Sequence, residues 1–224
     1  IGNFDANVAG GAHIHFAPAG RNGGVELLLT TRLDADLKGG KFRASDNTFT
    51  LTDAQVRYLQ NREFYVNIHT TVFASGELRG QLLPPADDYF QANLLGINEV
   101  PANNSEATGN VILELKGNQL VATGAFEGFT SEVATDLAGG GHIHRGFAGR
   151  NGGIELVFDI TLDADKKGGR LEAANNTFTL TPGQLTYLRQ QELYVNFHSQ
   201  ANRPGEVRGQ IAPLGATYFV ANLE

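Results

Sequence analysis

The 224-residue sequence contains no cysteine, no methionine and no tryptophan. Without cysteine there is no disulfide framework and no thiolate, and without methionine no thioether, so any metal site must use nitrogen and oxygen. Long apolar runs are missing as well. None approaches the roughly 20 residues that a membrane-spanning helix needs, which predicts a soluble chain without a membrane span. Positive charge is scarce: 17 Lys and Arg stand against 24 Asp and Glu, for a formal charge of −7. That balance argues against nucleic acid as a partner, because phosphate-backbone binding relies on clustered Lys and Arg. No Ser-His-Asp spacing, P-loop or paired carboxylates stand out, so hydrolase and nucleotide-binding readings have no support. The chain opens on Ile1 rather than Met, which predicts a processed or excerpted product and fits a secreted protein.

What is present is glycine and short apolar runs. Gly accounts for 28 residues, and stretches such as VELLLT, IELVFDITL and YVNFH alternate with Gly, Asn and Asp clusters. This texture predicts an all-β protein with many turns. The sequence also repeats itself. Residues 1–95 overlay residues 130–224 at a constant offset of 129 without a gap, and roughly half the positions are identical, the signature of a duplicated module. Residues 89–129 add several extended runs, with Lys116-Gly117-Asn118 as a hairpin turn. In each copy a helix start follows. Thr181 is placed to cap, Pro182 to fill the first position and Gln184 to close a capping box, with Leu185 and Leu188 facing inward; Thr52 and Gln55 repeat the pattern.

Mostly antiparallel strands with one short helix per module predict tandem Greek-key β-sandwiches or barrels, immunoglobulin-like or superoxide-dismutase-like. The expected modules are 1–88, lacking its N-terminal strands, and 89–217, complete, joined near Pro84 and Pro85. Residues 218–224 (YFVANLE) repeat 89–95 (YFQANLL) and read as the first strand of a further module or as a donated strand. A sheet missing its strands exposes edges and core. The expectation is therefore one period of a longer array, a filament for instance, or self-association by strand addition or repeat stacking.

All six histidines fall in the repeat. His13 and His15 sit two apart on one strand, as do His142 and His144, and side chains at i and i+2 share a face. His69 and His198 complete each set, both two residues after an Asn and four after a Tyr. Three imidazoles on one face, with no sulfur available, suit Cu(II) or Zn(II) with open positions, and the affinity order puts copper before zinc. Acid is expected to release the metal below roughly pH 6. Glu77 with Arg79, and Glu206 with Arg208, alternate with apolar residues near the third histidine. They are candidates to orient an imidazole or hold an anion, or alternatively a cross-strand ion pair. Asp34 with Asp36, and Asp163 with Asp165, each precede a glycine turn and begin a calcium-loop pattern that lacks the later acidic ligands, so a solvated turn is the stronger reading. Arg21-Asn22-Gly23-Gly24 reads as a turn in which Asn-Gly takes positive φ.

HIH followed by GRNGG, then LYVNFHS and PGEVRGQI, together with LLGINEVPANNSEATGN upstream, resemble the CHRD domain, a family named from chordin. The resemblance covers 89–212 as a complete domain and 8–84 as one truncated at its N-terminus. It implies an extracellular or cell-surface β-sandwich module. The chain is also faintly similar to copper/zinc superoxide dismutase, through the His-x-His strand and a glycine-flanked arginine, Arg208, that would guide an anion. No bridging-histidine and zinc set accompanies them. The readings that follow are a structural, metal-binding extracellular protein; a copper redox enzyme; or a protein-binding module without metal.

Overall fold

The computed structural model describes residues 2–8 and 10–215. The fold is all-β and sandwich-like, and the chain divides into two compact units, 1–84 and 85–224. Residues 218–224, expected as the first strand of a further module or as a donated strand, lie outside the described residues.

Unit 1 holds β1 (Ala12–Phe16), β2 (Val25–Leu28), β3 (Thr31–Leu33), β4 (Gly40–Phe42), helix α1 (Asp53–Gln60), β5 (Phe64–Ile68) and β6 (Leu78–Gln81). Its main sheet runs β2-β1-β5-β6, while β3 and β4 form a separate hairpin. Unit 2 opens with a three-strand meander that unit 1 lacks: β7 (Asp88–Leu95), β8 (Thr108–Lys116) and β9 (Gln119–Glu127). Gly117, at φ 62°, makes the β8–β9 turn tight. The repeated elements follow: β10 (Gly141–Arg145), β11 (Ile154–Val157), β12 (Ile160–Leu162), β13 (Gly169–Leu171), β14 (Thr177–Thr179), α2 (Pro182–Arg189), β15 (Leu193–Phe197), β16 (Val207–Gln210) and β17 (Ala212–Pro213).

The strands of unit 2 connect in the order β11-β10-β15-β16-β7-β8-β9-β13-β12, and this ladder folds over on itself. Ile143, Val195, Phe197 and Val207 from one half share a core with Leu113, Leu115, Phe126 and Leu171 from the other. Phe126 stacks on Phe197 with ring centroids 4.2 Å apart. The run IELVFDITL, expected as one strand, is two. β11 pairs with β10 and β12 with β13, so the chain crosses between layers at Phe158 and Asp159. There Phe158 N–H bonds Gly141 O, and Asp159 N–H bonds the Asn176 side chain.

Both helices start where the capping pattern puts them. Thr52 and Thr181 each accept from the backbone of the residue three on, and Gln55 and Gln184 return the bond. Leu188 is fully buried and Leu185 packs against the core.

Candidate metal centre

Because Ile143 points into the core, alternation sends His142 and His144 to the opposite face of the sheet. They pair across with Asn196 and Tyr194 on β15, and Arg208 lies opposite Asn196 on β16. His198 follows the end of β15. Loops before β10, after β10 and after β15 cover the three rings, which are 2 %, 9 % and 7 % exposed. Unit 1 repeats the arrangement: His13 faces Asn67, His15 faces Tyr65, and His69 follows β5. In both units β1 or β10 is bulged against its other neighbour, between Ile14 and His15 and between Ile143 and His144.

Each ring has one nitrogen assigned by its neighbour. A carbonyl oxygen only accepts, so a ring nitrogen facing one must carry the proton. His142 Nε2 donates to Ala138 O at 2.9 Å, His144 Nδ1 to Gly152 O at 3.0 Å and His198 Nδ1 to Arg203 O at 2.9 Å. In unit 1, His13 Nε2 donates to Val8 O, His15 Nδ1 to Gly23 O and His69 Nδ1 to Ala74 O. The nitrogens left as lone pairs are those that converge, since in each triad one ligand atom per ring lies within 4.8 Å of the others. His144 Nε2, His15 Nε2 and His69 Nε2 are buried with no hydrogen-bond partner. His142 Nδ1 and His198 Nε2 face each other at 3.2 Å. Two neutral rings in these tautomers present two lone pairs to one another there, an arrangement that a proton or a metal ion between them would relieve. A tetrahedral metal bound at about 2.05 Å separates two nitrogens by about 3.3 Å.

The remaining atoms hold the rings in place. Tyr194 stacks on His144 at 5.0 Å and 8°, and the Arg208 guanidinium lies 3.5 Å over Tyr194. Arg208 also donates to Phe147 O, Arg150 O and the Asn151 side chain, fixing the turn whose Gly152 binds both Tyr194 OH and His144. Arg79, Tyr65, Asn22 and His15 repeat the stack in unit 1. Gly152 has no room for a side chain, because a Cβ would collide with Arg145 O; Gly23 is likewise pressed against Phe16 O. The positive φ expected at Asn-Gly falls instead on Gly20 and Gly149. Gly23 and Gly152 are there for close approach, while Gly24 and Gly153 have open space around them.

Arg79 and Arg208 thus reach an imidazole only through a tyrosine, and the donors of Arg208 are committed to the turn rather than to an anion. Glu206 accepts from Ser105 Oγ and Thr130 N–H, and Glu77 from Thr70 Oγ1; both tie loops down beside the site. Asp36 and Asp165 accept the N–H two residues on, and Asp34 and Asp163 sit in the same turns, which is the solvated-turn geometry. Among the described residues, the only groups of three or more His, Cys, Asp or Glu placed to share an ion are the two histidine triads.

Burial is the main electrostatic influence. It lowers the pKa of His142 and His144 and pushes His198 down to about 4. His15 is lowered for the same reason. His198 therefore keeps its lone pair available below the pH 6 limit expected for ordinary histidines, and burial shifts His142 and His144 in the same direction. One residue went unnoticed in the sequence. Glu99, 7 % exposed and bonded by Asn196 at 3.5 Å, is raised to about 7 by burial despite the pull of Arg208. Gly205 leaves it space, since a Cβ there would meet both carboxylate oxygens.

The chain belongs to the CHRD domain family, whose model matches residues 3–82 and 90–211 as two tandem copies. Comparison with curated proteins returns no relative. No helix among the described residues is long and apolar enough to cross a membrane.

Proposed function

We propose that this is an extracellular tandem CHRD protein in which each module holds one late first-row divalent ion on three imidazole nitrogens. The residues are His13, His15 and His69 in unit 1 and His142, His144 and His198 in unit 2. The observation that carries this reading is the tautomer pattern: every ring gives one N–H to a backbone carbonyl and turns its lone pair toward the other two. Copper is the first assignment and zinc the second, on the nitrogen-only donor set and the affinity order. The role is structural or metal-sequestering. The ion ties loops before β10 and after β15 to the sheet, as it does their counterparts in unit 1. A copper redox activity draws no support from Arg208, the residue that would have guided an anion.

Metal analysis of tag-free protein tests this reading. Two equivalents per chain are expected at neutral pH, with a nitrogen-rich spin-resonance signal from the copper form, and His142→Ala should remove one equivalent. Failure to retain stoichiometric copper or zinc would overturn the proposal.

A second observation supports self-association of the kind that builds an array. Apolar positions that are core in unit 2, Leu188 and Val207 among them, are exposed in unit 1 as Leu59 and Leu78. Extracellular placement rests on family membership, the general habit of CHRD domains.

A further inference from the structure

The histidine face of unit 2 carries a row of side chains that crosses three strands. His142 on β10 stands opposite Asn196 on β15, and Asn196 stands opposite Arg208 on β16. Glu99, from the loop after β7, lies on the middle of this row. It is buried, and the groups packed on it are Asn196, the loop glycine Gly205 and Arg208. Arg208 is the one charged group among them. The same Asn196 stands two residues before His198.

Two buried oxygens here lack a donor. Asn196 Nδ2 gives its proton to Glu99 Oε2 at 3.5 Å, which leaves Asn196 Oδ1 and Glu99 Oε1 as acceptors with nothing to accept. Both lie 2.6 Å from the point that a Cβ on Gly205 would occupy, so they are neighbours. A carboxylate cannot donate to an amide oxygen, and a carboxylic acid can. A proton on Glu99 Oε1, donated to Asn196 Oδ1, satisfies both atoms and closes a cyclic pair of acid and amide. The rise of Glu99 to about 7 through burial agrees with that state. Glu206, also buried, is different: despite the opposing effect of burial, donors from Ser199, Thr130 and Ser105 hold it as a carboxylate.

We infer that Glu99 is the charge-compensating acid of the unit 2 metal site, neutral and paired with Asn196 in the metal-free protein and giving up its proton to solvent when a divalent ion enters. This rests on the metal reading above and adds a residue that touches no ligand ring. Three neutral imidazoles bring no negative charge to a dication, and Arg208 adds a further positive charge beside them. Asn196 separates the Glu99 carboxyl from the His142 ring, a span of about two strand spacings. Over that distance a dication favours the ionised acid by about tenfold or more. By linkage, uptake of the ion and loss of the proton then promote each other.

Calorimetric titration with zinc in buffers of different ionisation enthalpy counts the protons, using the full chain with His13→Ala so that zinc reports unit 2. At pH 6.5 this chain should release about 0.7 proton per zinc more than the same chain carrying Glu99→Gln, an isostere of the neutral acid with no proton to lose. Between pH 6 and 8 its zinc affinity should rise about five- to tenfold more than that of the doubly substituted chain. A residue that only held the loop in place would shift affinity alike at every pH and leave the proton count unmoved. A second measurement needs no substitution at Glu99: at pH 6.5 the infrared carbonyl band of a protonated carboxylic acid should be present without metal and vanish when zinc is added. Equal proton counts, or absence of that band, overturn the inference while leaving the metal site standing; a His13→Ala chain that binds neither zinc nor copper overturns both.

Discussion

Two buried groups on unit 2 titrate in opposite directions, and separating them makes a sharp test of the site's electrostatics. His198 has its pKa lowered from 6.5 to about 4 in the fold. As pH falls through 6.5 the unfolded chain takes up that proton first, so the contribution is fully present above pH 6.5 and is lost as pH drops toward 4. Glu99 is raised from 4.5 to about 7, so its contribution is present below pH 4.5 and is lost as pH rises through 7. At about 1.4 kcal/mol per pKa unit, each amounts to about 3 kcal/mol. The two offset one another between pH 6.5 and 4.5 in metal-stripped protein. Glu99→Gln should therefore steepen the acid loss of stability by about 3 kcal/mol relative to wild type. His198→Gln should flatten or reverse the loss by a similar amount. Urea-dependent hydrogen exchange read on peptides from β8 and β9 reports unit 2 alone, so unit 1 does not blur the result. Parallel pH profiles for wild type and the two variants would refute the reasoning.

The frame around the rings gives two further expectations. Gly152→Ala forces the turn away from Arg145 O and breaks the Gly152 bonds to His144 and Tyr194; metal affinity at the unit 2 site, measured by competition with a chromogenic chelator, should fall about 10- to 100-fold with unit 1 unaffected. Arg208→Met keeps the stem but strips Phe147 O, Arg150 O and Asn151 of their donor, which should cost about 2–4 kcal/mol of unit 2 stability in urea, and a loss under 0.5 kcal/mol would contradict the clamp described here.

The parts of this molecule that could be read from sequence are those encoded over short distances. The Thr52–Gln55 and Thr181–Gln184 capping boxes span three residues, and the His-x-His pairs need only the two-residue period of a strand. The third histidines were found because the whole set recurs at one offset, and the Tyr-x-Asn-x-His spacing marked Tyr65 and Tyr194 without revealing that they stack on a ligand ring. What stayed hidden depends on chain segments far apart. Glu99 meets Asn196 across 97 positions, and it sits in the one stretch that is not duplicated, so no repeat singled it out. Gly152 looked like turn chemistry because a glycine required for φ and one required for space are written with the same letter.

The difference between the two units bears on how metal and assembly are related. The triad and the tyrosine stack recur in unit 1, with Arg79 bonded to Asn22 and Arg21 O where Arg208 makes three bonds, although β7–β9 have no counterpart among its described residues, because they occupy the face of the sheet turned away from the core. The core face registers the difference most, through Leu78, Phe42 and the cavity beside them, and on the histidine face Asn196 has Glu99 beside it while Arg208 is buried and its counterpart Arg79 exposed. One sheet therefore separates two tasks. Its outer face carries a ligand set whose bonds stay within the β1–β5 and β10–β15 pairs and their loops. Its inner face is covered in unit 2 by the meander, and among the described residues of unit 1 its apolar positions are exposed. Leu78→Asp should accordingly leave copper stoichiometry unchanged in metal analysis, and His13→Ala should lower it by one equivalent per chain.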